Sequence, residues 1–447
     1  MSTSYDDSRR GGTTPPRRSR RWFLHGATAT AGFLTLGRPG HVRTTVAQTV
    51  ALPHPARSGI EHIVLVTMEN RSFDHFLGWL THADGRQAGL EYLDRAGVPH
   101  LTYPLAPDFQ GCGHPDPDHS YVGGRVAYND RAVDGWLRAG ANDPYAIGYY
   151  TQQDLAFLSQ AALRWTVCDR YFAPIMAGSF PNRLYQHAAQ TDRLSNTSEV
   201  TRLPTIWDRL EDAGLEGRYY FSDAPFLALW GTRYLSLFRP FGAFLVDALT
   251  GQLPQVAFVE PRFLDNASGT SGDDHPYADI RNGQAFLALI YAVLTRSPAW
   301  PRTVLIITYD EWGGFFDHVP PPVVPVSEIP DADLAAGHTD GLLGFRVPCL
   351  LISPFARRAA VSSVDFDHTS VLRLIEWRWD LAPLTVRDAG ANNLADALDF
   401  SAPRRAAPQF RVPFGPFGAP CGGAAGVTTS IWHQLLALAH DVGWPRR

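Results

Sequence analysis

The chain has 447 residues and an ordinary composition: 45% are hydrophobic, 19% are charged, and the formal net charge is −5. This length suits one large α/β domain or two smaller ones. Removing residues 1–47, a predicted export signal, takes away eight arginines and two aspartates and leaves a net charge near −11. Such acidity argues against nucleic acid as a partner and against strong electrostatic docking on anionic membranes.

The N-terminus has the features of a twin-arginine export signal. The pair Arg20-Arg21 precedes a mildly apolar run from Gly26 to Leu36, and Thr45-Val46-Ala47 forms a small-residue cleavage site. The run is too short to span a bilayer, and no transmembrane segment is expected in the mature chain. The alternative is a disordered arginine-rich leader. We predict that residues 1–47 are removed on export and that the mature protein is periplasmic, cell-wall-associated or secreted.

Strand and helix patterns alternate along residues 48–400, whereas residues 401–447 are predicted to form a strap rich in Pro, Gly and Ala followed by a short helix. Alternation of this kind predicts an α/β fold with a mostly parallel central sheet and helices on both faces. The predicted strands are Ile60–Val66, Arg218–Phe221, Gln255–Val259, Val304–Ile307 and Val347–Ile352. The predicted helices are Asp154–Trp165, Pro181–Gln190, Thr205–Ala213, Gly283–Thr295, His368–Trp379 and Ser430–Asp441.

The four cysteines do not have the spacing of a zinc site. Cys168 and Cys349 lie in apolar segments and are expected to be buried thiols. Export would permit a disulfide at Cys112 or Cys421, but the sequence does not predict a pairing.

Oxygen-bearing side chains follow the first predicted strand. Glu69 and Asn70 come directly after Ile60–Val66 and Thr67-Met68. Ligands in open α/β sheets bind outside the carboxyl ends of strands, and hard cations prefer oxygen ligands. The alternative is a helix N-cap followed by a polar first turn. This segment therefore predicts half of a metal site.

A hydroxyl lies at the start of another predicted element. Ser179 immediately precedes Phe180-Pro181, where a helix opens. The positive end of the helix dipole would favour an ionised hydroxyl and a bound phosphate. The alternative is an ordinary serine N-cap. The sequence has no Gly-x-Ser-x-Gly elbow, which argues against a Ser-His-Asp esterase.

Two adjacent acids follow the strand Val304–Ile307. Asp310 and Glu311 are candidate metal ligands, and Gly313-Gly314 follows them. Further along, His318 could be a ligand or could orient the preceding Asp317. The alternative is a solvated turn. Oxygen ligands favour calcium, magnesium or manganese over zinc.

Loop histidines are the remaining candidates for chemistry. His119 and His275 lie in polar loops, where either could donate to phosphate oxygens or protonate a leaving group. A loop histidine on the surface without a function is the alternative. His368, at the start of a helix, suits either a capping role or a site role.

Together these segments resemble a known family, the bacterial phosphoesterases that comprise non-specific phospholipases C and related acid phosphatases. The resemblance runs from about Gly59 to Leu381 and implies an alkaline-phosphatase-like α/β fold. It rests on four motifs in the family's order: Glu69-Asn70-Arg71-Ser72-Phe73-Asp74-His75, Ser179-Phe180-Pro181-Asn182-Arg183, Asp310-Glu311 with Gly313-Gly314 and Asp317-His318-Val319, and Arg346-Val347-Pro348 through Ser353-Pro354.

The resemblance also implies roles for individual residues. Ser179 would be the nucleophile that is phosphorylated and then freed by water, with His119 and His275 contacting phosphate or transferring protons. The metal would be held by Glu69, Asn70, Asp310 and Glu311. Asn182, Arg183 and His318 would bind substrate, although Arg183 equally suits a structural salt bridge.

The sequence thus predicts an exported, metal-dependent phosphoesterase of the phospholipase C type, with residues 48–400 as its catalytic domain. Its substrate would be a phospholipid such as phosphatidylcholine. One alternative is a phosphomonoesterase of the same fold that acts on small phosphoesters. An alternative from another class is an exported binding protein without turnover. The sequence does not predict the oligomeric state.

Overall fold

An eight-stranded sheet lies at the centre of the protein. The computed structural model describes residues 51–264, 266–422 and 431–444, so the predicted export signal lies outside the described residues. The strands are β1 (His62–Met68), β2 (Glu91–Leu93), β3 (Pro99–Leu101), β4 (Tyr103–Pro104), β5 (Gly148–Tyr149), β6 (Thr166–Cys168), β7 (Gly217–Phe221), β8 (Phe238–Pro240), β9 (Val256–Val259), β10 (Thr303–Tyr309), β11 (Cys349–Ile352) and β12 (Ala360–Ser362).

Helices are interspersed with these strands along the chain. They are α1 (Phe73–Leu77), α2 (Tyr121–Tyr128), α3 (Leu158–Ala162), α4 (Ser179–Ala188), α5 (Ile206–Asp212), α6 (Phe241–Thr250), α7 (Ile280–Leu294), α8 (Asp331–Ala336), α9 (His368–Trp379), α10 (Val386–Gly390) and α11 (Ile431–Asp441). No helix in the described part of the chain is long and apolar enough to cross a membrane.

The central sheet is mostly parallel, in the order β12-β6-β11-β10-β1-β9-β7-β8. β1 pairs in parallel with β10 on one side and with β9 on the other. β11 is the exception, because it runs antiparallel to both β10 and β6. The prediction of an α/β fold with a mostly parallel sheet is confirmed.

The middle strands are buried on both faces. Every residue of β10 is buried, as is every residue of β1 after His62. Because successive side chains of a strand point to opposite faces, the sheet is covered above and below. Each fully buried Val, Leu or Ile contributes about 1.5–3 kcal/mol relative to exposure. This burial makes the central strands a rigid support for the loops at their ends.

Most helix boundaries follow capping signals in the sequence. α9 begins at His368, as predicted. It begins there because the side chain of Asp367 accepts a hydrogen bond from the backbone N–H of Thr369. α5 begins after Thr205, which forms a capping box with Asp208. These two helices therefore start where local side-chain chemistry places them.

The prediction of a helix over Asp154–Trp165 is wrong at both ends. Asp154 accepts hydrogen bonds from the backbone N–H and the hydroxyl of Thr151 in a turn, and α3 spans only Leu158–Ala162. The chain then enters β6, a three-residue strand that the sequence analysis missed. So short a strand has no room to show an alternating pattern.

A disulfide joins Cys112 to Cys421, and Cys168 and Cys349 are buried free thiols. The expectation of buried thiols at Cys168 and Cys349 is therefore confirmed. Residues 401–422 follow an irregular path that packs on α7, where Phe410 stacks on Tyr291 with ring centroids 4.5 Å apart. The disulfide fastens the end of this segment to the loop that precedes α2.

Candidate active site

Three adjacent parallel strands end beside one another, and each leads into a buried acid. Glu69 follows β1, Glu260 follows β9, and Asp310 follows β10. The carboxyl ends of neighbouring parallel strands lie at the same edge of a sheet. The sheet topology therefore brings together acids that are far apart in the sequence.

Arg183 of α4 joins these three acids. Its Nε atom lies 3.0 Å from Asp310 Oδ2, its first terminal nitrogen 2.7 Å from Glu260 Oε2, and its second 3.2 Å from Glu69 Oε1. The guanidinium is fully buried. One cation thus faces three carboxylates, so the cluster retains excess negative charge when all three are ionised. This placement fits the structural salt bridge, which was one of the two roles predicted for Arg183.

Asn70 links the acids to Ser179. Its backbone adopts the left-handed conformation, with φ 61°, which asparagine tolerates better than most residues. In this conformation its N–H donates to Asp310 Oδ1 at 3.2 Å, and its side-chain Oδ1 accepts from the Ser179 hydroxyl at 3.3 Å. The structure therefore brings the predicted nucleophile into contact with a predicted metal ligand.

Ser179 is the first residue of α4, and Gly178 occupies the N-cap position. The alternative that Ser179 is an ordinary N-cap is therefore wrong. Its hydroxyl, 3% exposed, lies at the positive end of the helix dipole. Because Ser179 does not cap the helix and lies at its positive end, its hydroxyl is available to react.

His119 faces the same group from the loop before α2. Its Nε2 lies 3.9 Å from Glu311 Oε1 and 3.4 Å from the side-chain nitrogen of Asn70, and its Nδ1 bonds the Pro117 carbonyl at 2.7 Å. Burial alone would lower the pKa of His119, but the carboxylates of Glu311 and Asp116 outweigh burial and raise that pKa to about 9. These carboxylates therefore favour the protonated form of His119.

We call the group formed by Glu69, Asn70, His119, Ser179, Arg183, Glu260, Asp310 and Glu311 the strand-end site. His275 lies next to it, with its ring centroid 6.0 Å from that of His119. His275 Nε2 is 3.6 Å from Asp116 Oδ2, and these two residues and His119 present ligand atoms within 4.8 Å of one another. Burial lowers the pKa of His275. A neutral imidazole of this kind could accept or relay a proton.

The Gly313-Gly314 pair explains how the loops of the strand-end site pack so closely. Both glycines have positive φ, 64° and 72°. A Cβ atom on Gly313 would lie 2.1 Å from the carbonyl oxygen of Asn70, and one on Gly314 would lie 2.6 Å from backbone of Pro117. Only glycine therefore lets the loop after Glu311 contact both the Asn70 turn and the His119 loop.

Residues of the strand-end site fit a divalent cation. Among the described residues, Glu69 Oε1 and Glu311 Oε1 are buried without a hydrogen-bond partner, which is costly unless something else binds them. Burial raises the pKa of Glu311 to about 8 and that of Glu260 to about 7, as expected where negative charge is in excess. The available donors are carboxylate, amide and hydroxyl oxygens, which hard cations prefer.

Asn182 does not have the substrate-binding placement that was expected. Its Oδ1 accepts from the backbone N–H of Ile175 at 3.2 Å, and its side-chain nitrogen donates to the carbonyls of Ala177 and Gly178 at 2.7 and 3.0 Å. These bonds use both amide protons. Asn182 is therefore corrected to a residue that holds the loop leading into Ser179.

His318 also lies elsewhere. Its Nδ1 is 2.5 Å from Asp74 Oδ2 and its Nε2 is 3.1 Å from Asp84 Oδ1. In the described part of the chain, no hydrogen bond or ion pair joins His318 to Ser179 or to the four predicted metal ligands. His318 instead joins Asp74, Asp317 and Arg346 in a second group, which we call the Arg346 cluster, and its role in substrate binding stays a prediction.

Sequence reasoning missed two residues of the strand-end site region, Glu260 and Trp432. Glu260 follows a predicted strand directly, so the same strand-end reasoning that selected Glu69 and Asp310 could have found it. Trp432 donates its indole N–H to Glu69 Oε2 at 2.9 Å. A tryptophan on a terminal helix carries no such local signal.

The mostly parallel sheet thus carries a serine hydroxyl beside a cluster of buried acids at its strand ends. Residues 60–241 and 230–382 match the model of the Phosphoesterase family. The chain belongs to the Phosphoesterase family, and it is a hydrolase acting on phosphoric ester bonds. The family resemblance seen in the sequence motifs is thereby confirmed.

Named relatives cover most of the chain. Phospholipase C A of Mycobacterium tuberculosis is 33% identical over 77% of this chain and 78% of its own length. Phospholipase C B of the same organism is 33% identical over 86% of each chain. Non-specific phospholipase C1 of Arabidopsis thaliana is 32% identical over 76% of this chain and 71% of its own.

Among solved structures, the chain is similar to a protein in the alkaline phosphatase superfamily from Vibrio parahaemolyticus, with a TM-score of 0.37 and 9% identity over 77% of this chain and 73% of that one. It is also similar to a phosphonate monoester hydrolase of Agrobacterium radiobacter, with a TM-score of 0.34 and 11% identity over 72% of this chain and 74% of that one. The α/β assignment rests on this chain's own strand order.

Proposed function

We propose that the protein is an exported, metal-dependent phosphoesterase of the phospholipase C type, which cleaves phosphatidylcholine-like phosphodiesters through a phosphorylated Ser179. The observation that carries this proposal is the contact between the Ser179 hydroxyl and Asn70 within a cluster of buried carboxylates. The phospholipase C names of the relatives support the choice of substrate class.

The cation would be held by Glu69, Asn70, Asp310 and Glu311, with calcium, magnesium or manganese favoured by the oxygen donors. When bound, it would supply positive charge that favours the ionised hydroxyl and stabilises charge on the phosphoryl group. Arg183 contributes by holding Glu69 and Asp310 in place through ion pairs.

Ser179 performs two displacements in this scheme. In the first, its oxygen forms a bond to phosphorus and the bond from phosphorus to the alcohol breaks, so that diacylglycerol leaves with a proton. In the second, the oxygen of a water molecule bonds to phosphorus and the Ser179–phosphorus bond breaks. The products are the alcohol, the phosphomonoester and the regenerated hydroxyl.

His119 and His275 would stabilise negative charge on the phosphate and transfer protons during these steps. His119 lies beside Asn70, where its protonated ring would donate a hydrogen bond to a phosphate oxygen or protonate the leaving alcohol. The neutral ring of His275, 6.0 Å from that of His119, would relay the proton.

A cavity of about 630 Å³ reaches His119 and Gly178, the residue before Ser179, and supports a diester substrate. It is lined by residues that include His119, Tyr121, Gly178 and Leu194. A phosphodiester carries a second alcohol that must fit beside the phosphorus, and this cavity offers space for it. Both polar and apolar side chains line it, as a phospholipid substrate requires.

Export is supported by the predicted signal in residues 1–47 and by the disulfide between Cys112 and Cys421. Disulfides form and persist in oxidising compartments outside the cytoplasm. The mature protein would therefore act in the periplasm, at the cell wall or outside the cell.

Ser179→Ala tests the nucleophile, with Ser297→Ala as the matched control, because Ser297 is also a buried serine, 5% exposed, but lies outside the strand-end site and the cavity. We expect Ser179→Ala to lower release of phosphocholine from phosphatidylcholine by at least about a thousandfold, as removal of a covalent nucleophile does elsewhere. Ser297→Ala should stay within about threefold of the wild type. Mass spectrometry of quenched wild-type reactions should locate the phosphoryl group on Ser179.

Two outcomes would overturn parts of this proposal. Activity retained in Ser179→Ala would refute the assigned nucleophile. A wild-type enzyme that hydrolyses an aryl phosphate monoester but leaves phosphatidylcholine intact would replace the phospholipase with a phosphomonoesterase.

A further inference from the structure

The C-terminal helix reaches the strand-end site through one side chain. Trp432, in the first turn of α11, is 2% exposed, and its indole N–H donates to Glu69 Oε2 at 2.9 Å. The matched family region ends at residue 382, well before this helix. The contact therefore comes from a part of the chain that the family match does not include.

Aromatic rings hold the indole in a fixed orientation. Phe263 stacks on Trp432 with ring centroids 3.7 Å apart and an interplanar angle of 3°. Phe180 of α4 meets the same indole edge-on at 5.5 Å. The guanidinium carbon of Arg183 lies 5.1 Å from the Trp432 ring and 4.8 Å from the Phe263 ring. Packing on several sides thus fixes the direction of the indole N–H.

The two oxygens of Glu69 have different surroundings. Oε2 accepts from Trp432, whose N–H can only donate. Oε1 lies 3.2 Å from a terminal nitrogen of Arg183 but, among the described residues, it has no partner in hydrogen-bonding alignment. The hydrogen bond at Oε2 fixes the plane of the carboxylate, so that Oε1 is the oxygen that faces positive charge, here that of Arg183. Outer hydrogen bonds of this kind commonly orient metal ligands.

We propose that Trp432 is a positioning residue whose indole N–H orients the Glu69 carboxylate so that Oε1 faces the cation. This inference rests on the proposed function, because it requires Glu69 to be a metal ligand. It makes α11 a part of the strand-end site, although the helix contributes no ligand.

Trp432→Phe tests this role because it keeps an aromatic ring and removes the donor. Trp444→Phe is the matched control: Trp444 follows the same helix, is 3% exposed, and donates its indole N–H to the Gly231 carbonyl at 2.8 Å. Both variants lose one indole hydrogen bond, but only Trp432 contacts Glu69. The measurement is Mn²⁺ affinity of the metal-stripped protein by calorimetry, with the Mn²⁺ EPR spectrum as a second readout.

We expect Trp432→Phe to weaken Mn²⁺ binding by about 10- to 100-fold and to alter the EPR spectrum, whereas Trp444→Phe should stay within about twofold of the wild type. Equal Mn²⁺ affinity in the two variants would overturn the positioning role while leaving the proposed function intact. A wild-type protein that binds no divalent cation would overturn both.

A fold defect in Trp432→Phe would appear as a lower thermal midpoint without metal than that of Trp444→Phe. In that event, β-(3-benzothienyl)alanine replaces Trp432, since it keeps both rings and exchanges the N–H for sulfur. Weak Mn²⁺ binding by this variant supports the role of the N–H, and wild-type binding overturns it.

Discussion

The strand-end site and the Arg346 cluster are both built from one buried arginine and several buried acids, but they differ in how the carboxylate oxygens are satisfied. In the Arg346 cluster, Asp317 Oδ1 accepts from Arg346 at 2.9 Å and from the backbone of Val319, and Asp317 Oδ2 accepts from the backbone of Asp74. Each oxygen therefore has a donor within the protein.

In the strand-end site, by contrast, two carboxylate oxygens lack a hydrogen-bond donor among the described residues. Arg183 faces three carboxylates, and in the described part of the chain Glu69 Oε1 and Glu311 Oε1 have no hydrogen-bond partner. By residue type and distance, Asp74, Asp317 and His318 of the Arg346 cluster could hold a metal, because their ligand atoms lie within 4.8 Å of one another. The unsatisfied oxygens lie in the strand-end site, and for this reason the cation is proposed there and not in the Arg346 cluster.

Removing each arginine in turn tests this difference between the two clusters most directly. Arg346→Met and Arg183→Met should each lower the free energy of unfolding by about 3–5 kcal/mol without metal, because each leaves buried carboxylates unpaired. Adding Mn²⁺ should restore part of the loss in Arg183→Met, since a cation can take over the neutralising role there. It should restore none of the loss in Arg346→Met. The measurement is urea unfolding with and without Mn²⁺.

Equal recovery by the two arginine variants would contradict the distinction between the two clusters. Recovery in neither variant would show that the strand-end acids do not bind the added cation.

Gly313→Ala tests whether close loop packing builds the strand-end site. The new Cβ would lie 2.1 Å from the Asn70 carbonyl oxygen, so the Asn70 turn must move. We expect activity to fall by about a hundredfold, because a displacement of about 1 Å in a site can have an effect of that size. The measurement is the initial rate of phosphocholine release.

Gly89→Ala is the control for this backbone effect. Gly89 also has positive φ, 78°, but a Cβ there meets nothing within 4 Å. It should lower stability by about 1 kcal/mol and leave activity unchanged. Comparable loss of activity in both variants would mean that backbone strain, and not the contact with Asn70, is responsible.

Glu376 sharpens the comparison because its two side-chain oxygens also have no hydrogen-bond partner among the described residues. Burial, together with the neighbouring Asp388, raises the pKa of Glu376 to about 9, so the carboxyl is neutral in the folded protein at pH 7. A protonated carboxyl is less costly to bury than a carboxylate, so these oxygens do not require a metal. Arg373 and Arg209 oppose the shift but do not reverse it.

The sign of the pH effect follows from that raised pKa. The unfolded chain ionises Glu376 near pH 4.5, so its contribution to stability is complete below that pH and is lost as pH rises towards about 9. Glu376→Gln removes this dependence and should stabilise the protein by about 1–3 kcal/mol at pH 8, but little at pH 4.5. Thermal unfolding across that range measures the difference, and a pH-independent difference would contradict the assignment.

The sequence predicted those parts of the fold and candidate site that depend on local patterns. Glu69, Asn70, Asp310 and Glu311 were predicted as site residues because they follow strand ends. Ser179 was predicted because it lies just before the proline of a predicted helix. Their common position at one sheet edge follows from parallel pairing of neighbouring strands.

The remaining features depend on contacts between distant segments. Trp432 joins Glu69 across 363 positions, and Asp74 joins His318 across 244. Periodicity and capping signals describe only a few residues at a time, so they do not reveal such pairs. The motif that contains His318 was recognised in the sequence, but His318 pairs with Asp74 and not with a residue of the strand-end site.

The disulfide between Cys112 and Cys421 spans 309 positions and turns most of the protein into a covalent ring. A single proteolytic cut anywhere inside that ring would leave both fragments attached. Closing so long a loop also restricts the unfolded chain, which in chain-entropy terms stabilises the folded state by about 5 kcal/mol. A protein nicked within this ring would thereby remain a single covalent molecule.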